Sequence, residues 1–180
     1  MIGVLALQGN YKQHCEALKR LKCEAKLISQ PSQLDDVAAL IIPGGESTCL
    51  LKLMSSYEFI PALQRFYSQK KIIFGTCAGA ILLAKSTQPS QKSLGFIDIH
   101  IERNAYGRQL DSFIAKGQLK SSKKVELVFI RAPKILKVGN CVEVVATYKD
   151  YPVWVRQDNV MITTFHPEFS EKSYVHQYFL

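Results

Sequence analysis

Three short apolar runs, Ile2 to Leu7, Ala39 to Ile42 and Ile72 to Phe74, with a short strand at Ala25 to Ser29, recur through the first half of the chain, separated by polar turns and helix-like stretches. Runs without polar alternation suit strands buried on both faces, and the stretches between them suit helices laid over those faces. The pattern predicts an α/β fold with a mostly parallel central sheet and helices on both sides. Tyr11 to Leu21 has Cys15, Leu18 and Leu21 spaced for one buried helical face, with Asn10 as its N-cap. A helical turn is expected at Leu34 to Val37, and helices at Ser47–Ser55, Ile60–Ser68 and Ala78–Lys85. From residue 94 the texture changes: Ile97–Ile101, Glu126–Ile130, Val142–Thr147, Val153–Val155 and Val160–Thr163 read as strands, several of them alternating. These predict an antiparallel extension of the parallel core. Glu171 to Leu180 reads as a closing helix.

A chain of 180 residues corresponds to one domain, residues 1–180, and its 47% hydrophobic content excludes a disordered chain. No apolar run approaches the roughly 18 residues of a membrane span, so no membrane association is expected. Met1 to Leu7 carries no basic leader and is expected to be a buried strand, not a signal peptide. The five cysteines, with no close C-x-x-C pair, are expected to be reduced, and the chain cytoplasmic. The histidines at 14, 100, 166 and 176 lack zinc-ligand spacing, so no metal is expected. The net charge of +8 would suit nucleic acid or an acidic protein. The basic residues are dispersed without interleaved aromatics, so nucleic acid is not expected as a partner.

The sharpest chemical signal is Gly75-Thr76-Cys77-Ala78-Gly79, between an apolar strand and a small-residue helix. It has the form of a nucleophile elbow with sulfur as the attacking atom. Flanking glycines relieve the tight turn, the helix N-terminus favours negative charge on the sulfur, and the Ala78 amide points to where an oxyanion would form. A buried cysteine in a glycine-rich turn is the alternative reading for Cys77; Cys15, Cys23, Cys49 and Cys141 lack the elbow context and are expected to be plain buried cysteines. His166-Pro167-Glu168 follows another apolar run. Residues two apart in an extended segment share a side, so Glu168 is placed to orient His166 as a base for Cys77. Pro43-Gly44-Gly45-Glu46-Ser47-Thr48 ends a third strand; its glycines suit the other half of an oxyanion hole, with Ser47 available to cap the next helix. A plain strand–helix turn fits the same residues.

Together, Gly75–Gly79, His166–Glu168 and Pro43–Thr48 resemble class I, triad-type glutamine amidotransferases. Gly3-Val4-Leu5-Ala6-Leu7-Gln8-Gly9, Glu102-Arg103-Asn104-Ala105-Tyr106-Gly107-Arg108-Gln109, Asp111-Ser112-Phe113 and Phe129-Ile130-Arg131-Ala132-Pro133 narrow the resemblance to the glutaminase subunits of pyridoxal 5′-phosphate synthase, the vitamin B6 route. The resemblance implies a flavodoxin-like three-layer fold and hydrolysis of L-glutamine to glutamate and ammonia through a Cys77 thioester. His166 and Glu168 would complete the triad, with Gly44, Gly45 and Ala78 forming the oxyanion hole. Gly45, Glu46, Ser47, Arg103, Ile130 and Arg131 would hold glutamine: an Arg suits its carboxylate, and Glu46 its ammonium. Gln8 would face the partner. That partner, in the family, is a (β/α)-barrel synthase subunit that combines the ammonia with ribose 5-phosphate and glyceraldehyde 3-phosphate, and the glutaminase is weakly active until docked. Pyridoxal phosphate is the partner's product, so no cofactor is expected here. Many relatives run further than Leu180, which implies a shortened final helix.

A stand-alone cysteine amidohydrolase, or a glutaminase serving another synthase, would share the triad. Neither requires the segments at residues 102–109 and 129–133.

Overall fold

The computed structural model describes residues 1–105, 112–119 and 124–180. The elements run, in chain order, β1 (Ile2–Leu5), α1 (Tyr11–Arg20), β2 (Ala25–Ile28), a 3₁₀ turn (Pro31–Asp36), β3 (Ala39–Ile42), α2 (Ser47–Ser56), α3 (Phe59–Ser68), β4 (Ile72–Thr76) and α4 (Ala78–Leu83). Then follow β5 (Ala84–Gln88), β6 (Ile97–Glu102), β7 (Ser112–Leu119), β8 (Lys124–Ile130), β9 (Lys134–Val138), β10 (Glu143–Tyr148), β11 (Tyr151–Gln157) and β12 (Val160–Thr163). A second 3₁₀ turn (Pro167–Phe169) and α5 (Tyr174–Phe179) complete the sequence of elements.

Among the described residues, nine strands form one sheet in the order β2-β1-β3-β4-β12-β11-β10-β7-β8. The pairs from β2 to β12 are parallel, and those from β12 to β8 antiparallel. The parallel core and its antiparallel extension are therefore as the apolar patterning predicts. A smaller sheet, β5-β6-β9, lies beside it. Successive residues of the core strands enter opposite layers, as the twofold strand period requires. Leu40 and Ile42 pack with Leu50, Met54 and Leu63 of α2 and α3. Ile41, between them, packs with Leu18 of α1 and with Val175 and Phe179 of α5. Two apolar layers thus hold the sheet, and full burial of each Leu or Phe contributes roughly 1.5–3 kcal/mol.

The structure corrects several local expectations. The helix expected over Ala78–Lys85 stops at Leu83, because residues from Ala84 onward extend and pair in parallel with β6. Strands β7 and β9 carried little strand signal: Lys116 and Gly117 interrupt the first, and the second is only Lys134–Val138. The closing helix shrinks to Tyr174–Phe179, after a 3₁₀ turn and a left-handed Ser173. In α1 the buried face is His14, Ala17 and Leu18, with Cys15 and Leu21 only partly covered. A fully buried histidine there needs polar partners, and it has them in the site.

Candidate active site

Strand β1 has β2 on one side and β3 on the other, so the chain changes direction between them. Such a switch point opens a crevice beyond the carboxyl ends of the strands. The loops leaving β1, β3, β4 and β12 start from neighbouring strands of that core and carry Gln8–Asn10, Pro43–Glu46, Cys77 and His166.

Cys77 stands between β4 and α4 at φ 47° and ψ −97°, a conformation a side chain rarely adopts. Such residues cost about 1–3 kcal/mol and persist where their surroundings over-determine them. Here the Cys77 amide donates to the Thr163 carbonyl at 2.9 Å, and the Ile81 amide donates to the Cys77 carbonyl at 3.2 Å. The turn closes so tightly that a Cβ on Gly75 would lie 2.8 Å from the Gly79 carbonyl carbon, which is why this elbow carries glycine. The sulfur is largely buried and lies 4.0 Å from the Ile130 carbonyl oxygen.

His166 stands beside Cys77 against Gly44, and its Nδ1 lies 2.7 Å from Glu168 Oε1. With Nδ1 engaged by the carboxylate, Nε2 is the nitrogen left for the sulfur. A Cβ on Gly44 would meet His166 Nδ1 at 2.9 Å and Cys77 Cβ at 3.3 Å, so the glycine loop backs directly onto the pair. The His166 amide donates to the Val128 carbonyl at 2.8 Å, fixing the loop against β8. Burial alone would pull the His166 imidazolium down; hydrogen bonds to Cys77 and Glu168 and the charges of both outweigh it and raise it to about 10. Burial would push the Glu168 carboxyl up; His14 and His166 outweigh that and bring it to about 2. The site therefore favours a charged imidazolium between sulfur and carboxylate at neutral pH.

The glycine loop corrects one expectation. Glu46, not Ser47, caps α2: its carboxylate accepts from the Thr48 and Cys49 amides at 3.0 and 2.6 Å. Burial would raise the Glu46 carboxyl; the Thr48 and Cys49 amides, the Thr48 hydroxyl and Arg103 together outweigh it and bring the group below its usual value. Ser47 Oγ instead donates to Gln91 Oε1 at 3.0 Å. Arg103 reaches the same corner, donating to Thr48 Oγ1 at 3.1 Å with Glu46 Oε1 at 3.9 Å. Gln8 Oε1 accepts from the Glu46 amide at 3.2 Å and covers Gly45, so its side chain braces the loop. Ile130 ends β8 beside Cys77, and the exposed Arg131 follows at φ 42°. Ala78 opens α4 next to the sulfur. Tyr106 to Gln109, Asp111, Lys120 and Lys123 lie outside the described residues.

Asn10 was expected to cap α1, yet its side chain makes no cap bond. Its Nδ2 donates to Glu168 Oε1 at 3.2 Å and lies 3.3 Å from His166 Nδ1. His14, His176 and Gln91, which belong to none of the motifs, also reach the site or its supports, as do Thr76 and Thr48, which lie within motifs but carry no role in them. The one available signal was spacing: Asn10 and His14, four apart, share a helical face. Among the described residues, no group of three or more His, Cys, Asp or Glu is placed to hold a metal ion.

Residues 4–180 match the SNO glutamine amidotransferase family. A relative from Francisella philomiragia subsp. philomiragia, called pyridoxal 5′-phosphate synthase subunit PdxT, is 47% identical across 99% of this chain and 97% of its own. One of the same name from Thermosipho africanus is 45% identical across 99% and 96%. The chain thus spans nearly the full length of these relatives. A solved structure described as a glutamine amidotransferase superposes with a TM-score of 0.94 at 44% identity, over 99% of this chain and 96% of that one. PurLQS from Thermotoga maritima, at 17% identity and a TM-score of 0.75, shares the fold. Fold, elbow and sequence point the same way: the chain belongs to the SNO glutamine amidotransferase family.

Proposed function

We propose that this chain, as one domain, hydrolyses L-glutamine through Cys77, His166 and Glu168 and passes the ammonia to a synthase that makes pyridoxal 5′-phosphate. The observation that carries the chemistry is the strained Cys77 in contact with His166, whose Nδ1 is held 2.7 Å from a buried carboxylate. Cys77 Sγ attacks the side-chain amide carbon, and the oxyanion forms against the Ala78 amide and the Gly44–Gly45 loop. His166 Nε2 gives its proton to the departing nitrogen, which leaves as ammonia. Nε2 then takes a proton from water as it attacks the thioester, releasing glutamate and free Cys77. Glu168 keeps the imidazole in the orientation both steps need.

Glu46, Ser47 and Arg103, with Gly45, Ile130 and Arg131, are assigned to the amino-acid end of glutamine. An arginine in this corner matches an α-carboxylate, and Glu46 an ammonium. The names of the relatives support pyridoxal 5′-phosphate synthesis as the destination of the ammonia. The synthase partner is assigned as a (β/α)-barrel subunit, with Gln8 near its docking face, and the complex as cytoplasmic. None of the described helices is long and apolar enough to cross a membrane. Glutamate release is to be measured for the wild type and for Cys77→Ala, each with and without the synthase subunit. Turnover that vanishes in the variant and rises with the subunit is expected. Turnover surviving in Cys77→Ala would refute the nucleophile, and indifference to the subunit would favour a stand-alone amidohydrolase.

A further inference from the structure

The triad does not end at Glu168. Its Oε1 accepts from Asn10 and faces His166, but Oε2 is buried, makes no close hydrogen bond and has His14 Nε2 at 3.5 Å. The same His14 nitrogen lies 3.2 Å from Thr76 Oγ1, one residue before the nucleophile. On its other side, His14 Nδ1 lies 2.8 Å from His176 Nε2, and both rings are fully buried. His14 belongs to α1 and His176 to α5. Arg20 ties these helices together: Nε donates to Ser173 Oγ and Nη2 to the Ser170 carbonyl, both at 3.2 Å.

Elementary hydrogen-bond accounting fixes the direction of this chain. A neutral imidazole has one N–H and one bare lone pair. If His14 carried its proton on Nδ1, the bare lone pair on Nε2 would face a carboxylate oxygen, and Oε2 would be left buried without a donor. The same choice would force His176 to carry its proton on Nδ1, which is buried and has no partner. An unsatisfied buried group costs about 1–3 kcal/mol, and more when charged. The opposite arrangement leaves only a bare acceptor on His176 Nδ1. A charged His14 is disfavoured by its burial, with His166 adding to that, while Glu168 acts in the other direction. Burial, His14 and Arg20 likewise hold His176 neutral, against Glu168.

We propose that His14 and His176 are positioning residues for glutamine hydrolysis. They form a one-way chain, His176 Nε2–H to His14 Nδ1 and His14 Nε2–H towards Thr76 Oγ1 and Glu168 Oε2, that pins the carboxylate orienting His166. Neither touches the reacting atoms. Their effect is to keep Oε1 turned to His166 and to let Glu168 stay ionised in a buried site, which a single donor pair on Oε1 does not guarantee. Through His176, the seating of the short C-terminal helix bears on the geometry at Cys77.

The inference rests on the Cys77–His166–Glu168 reading, and its test separates the two. In the wild-type chain labelled with ¹⁵N-histidine, ring-nitrogen shifts are expected to show both His14 and His176 neutral with the proton on Nε2. Either ring found charged or protonated on Nδ1 at neutral pH overturns the proposal, and this measurement needs no variant to fold. Glutamine hydrolysis is then compared in the complex with the synthase subunit. His14→Leu is expected to lower kcat roughly 10- to 100-fold, as for a small misplacement of a reacting group, with KM nearly unchanged. His14→Gln, whose amide returns a donor near the Nε2 position, is expected to recover most of the loss. Equal losses in both variants, or full activity in a folded His14→Leu, overturn the chain. If Cys77→Ala is inactive while His14→Leu is fully active, only this inference falls. If Cys77→Ala turns over glutamine, the triad reading falls as well.

Discussion

Replacing Gly44 by Ala tests the site through steric contact alone. The new Cβ would stand 2.9 Å from His166 Nδ1, closer still to Cε1, and 3.3 Å from Cys77 Cβ. No unstrained structure tolerates the first two contacts, so something must move by a good fraction of an ångström. His166 has little room: it is buried, its Nδ1 lies 2.7 Å from Glu168, and its amide is tied to Val128 at 2.8 Å. The Gly44 carbonyl in turn accepts from the Asn10 amide at 3.0 Å, which holds the loop in place. The ring must therefore swing away from the sulfur or from the carboxylate. Misplacing a reacting group by about 1 Å costs on the order of 100-fold, or about 2.7 kcal/mol of transition-state stabilisation. Overpacking of this kind destabilises the fold by about 1–3 kcal/mol, a loss a domain of this size survives. The assay is glutamate release in the complex with the synthase subunit, with thermal unfolding to verify that the variant is folded. A folded Gly44→Ala chain retaining kcat within about threefold would refute the placement of His166 against the glycine loop.

Other outcomes follow from the same geometry. His166→Asn should lower kcat by about 10²–10⁴ while the chain stays folded, since on the proposed mechanism it removes the group that moves the proton; a near-normal rate would place the proton transfer elsewhere. Arg103→Ala should raise KM for glutamine more than it lowers kcat, and an unchanged KM would remove Arg103 from the substrate site. Stability should depend on pH in two opposite ways. His176 is held down to about 3 from 6.5, and Glu168 to about 2 from 4.5, so the unfolded chain binds protons there that the folded chain does not. Their contributions are present above 6.5 and 4.5 and are lost as pH falls towards about 3 and 2, at about 1.4 kcal/mol per pH unit for each group. His166, raised from 6.5 to about 10, contributes fully below 6.5, and that part is lost as pH rises through about 10. Melting temperatures that stay flat from pH 6.5 to 4.5 would contradict a neutral buried His176.

The parallel core was legible because Ala39–Ile42 and Ile72–Phe74 are apolar on both faces, and only a covered strand tolerates that. The elbow was legible because a tight turn demands small residues on either side of Cys77; His166 and Glu168 were legible as neighbours, although a 3₁₀ turn over Pro167–Phe169, not an extended segment, brings the carboxylate to the ring. Strands β5, β7 and β9 escaped, since pairing with β6 and β8 outweighs their weak local preference. Ser47 was a reasonable helix cap by residue type, but Glu46 sits one position earlier with a side chain long enough to reach both amides.

The order of residue types along the chain, by itself, determined the layered α/β architecture, the sulfur at a strand–helix bend and the family. These depend on local spacing and on apolar periodicity, which a linear string carries in full. Only the folded chain decided which polar groups stand behind Cys77, His166 and Glu168: Asn10 on Glu168 rather than on its helix, Gln8 on the Glu46 amide, and His14 and His176 in line behind the carboxylate. The first two of these contacts span 158 and 38 residues, and the link from His14 to His176 spans 162. A histidine on a helix has no pattern announcing that it is buried. Its partners come from other elements, and it is the packing of α1 and α5 on one face of the sheet that brings them within reach.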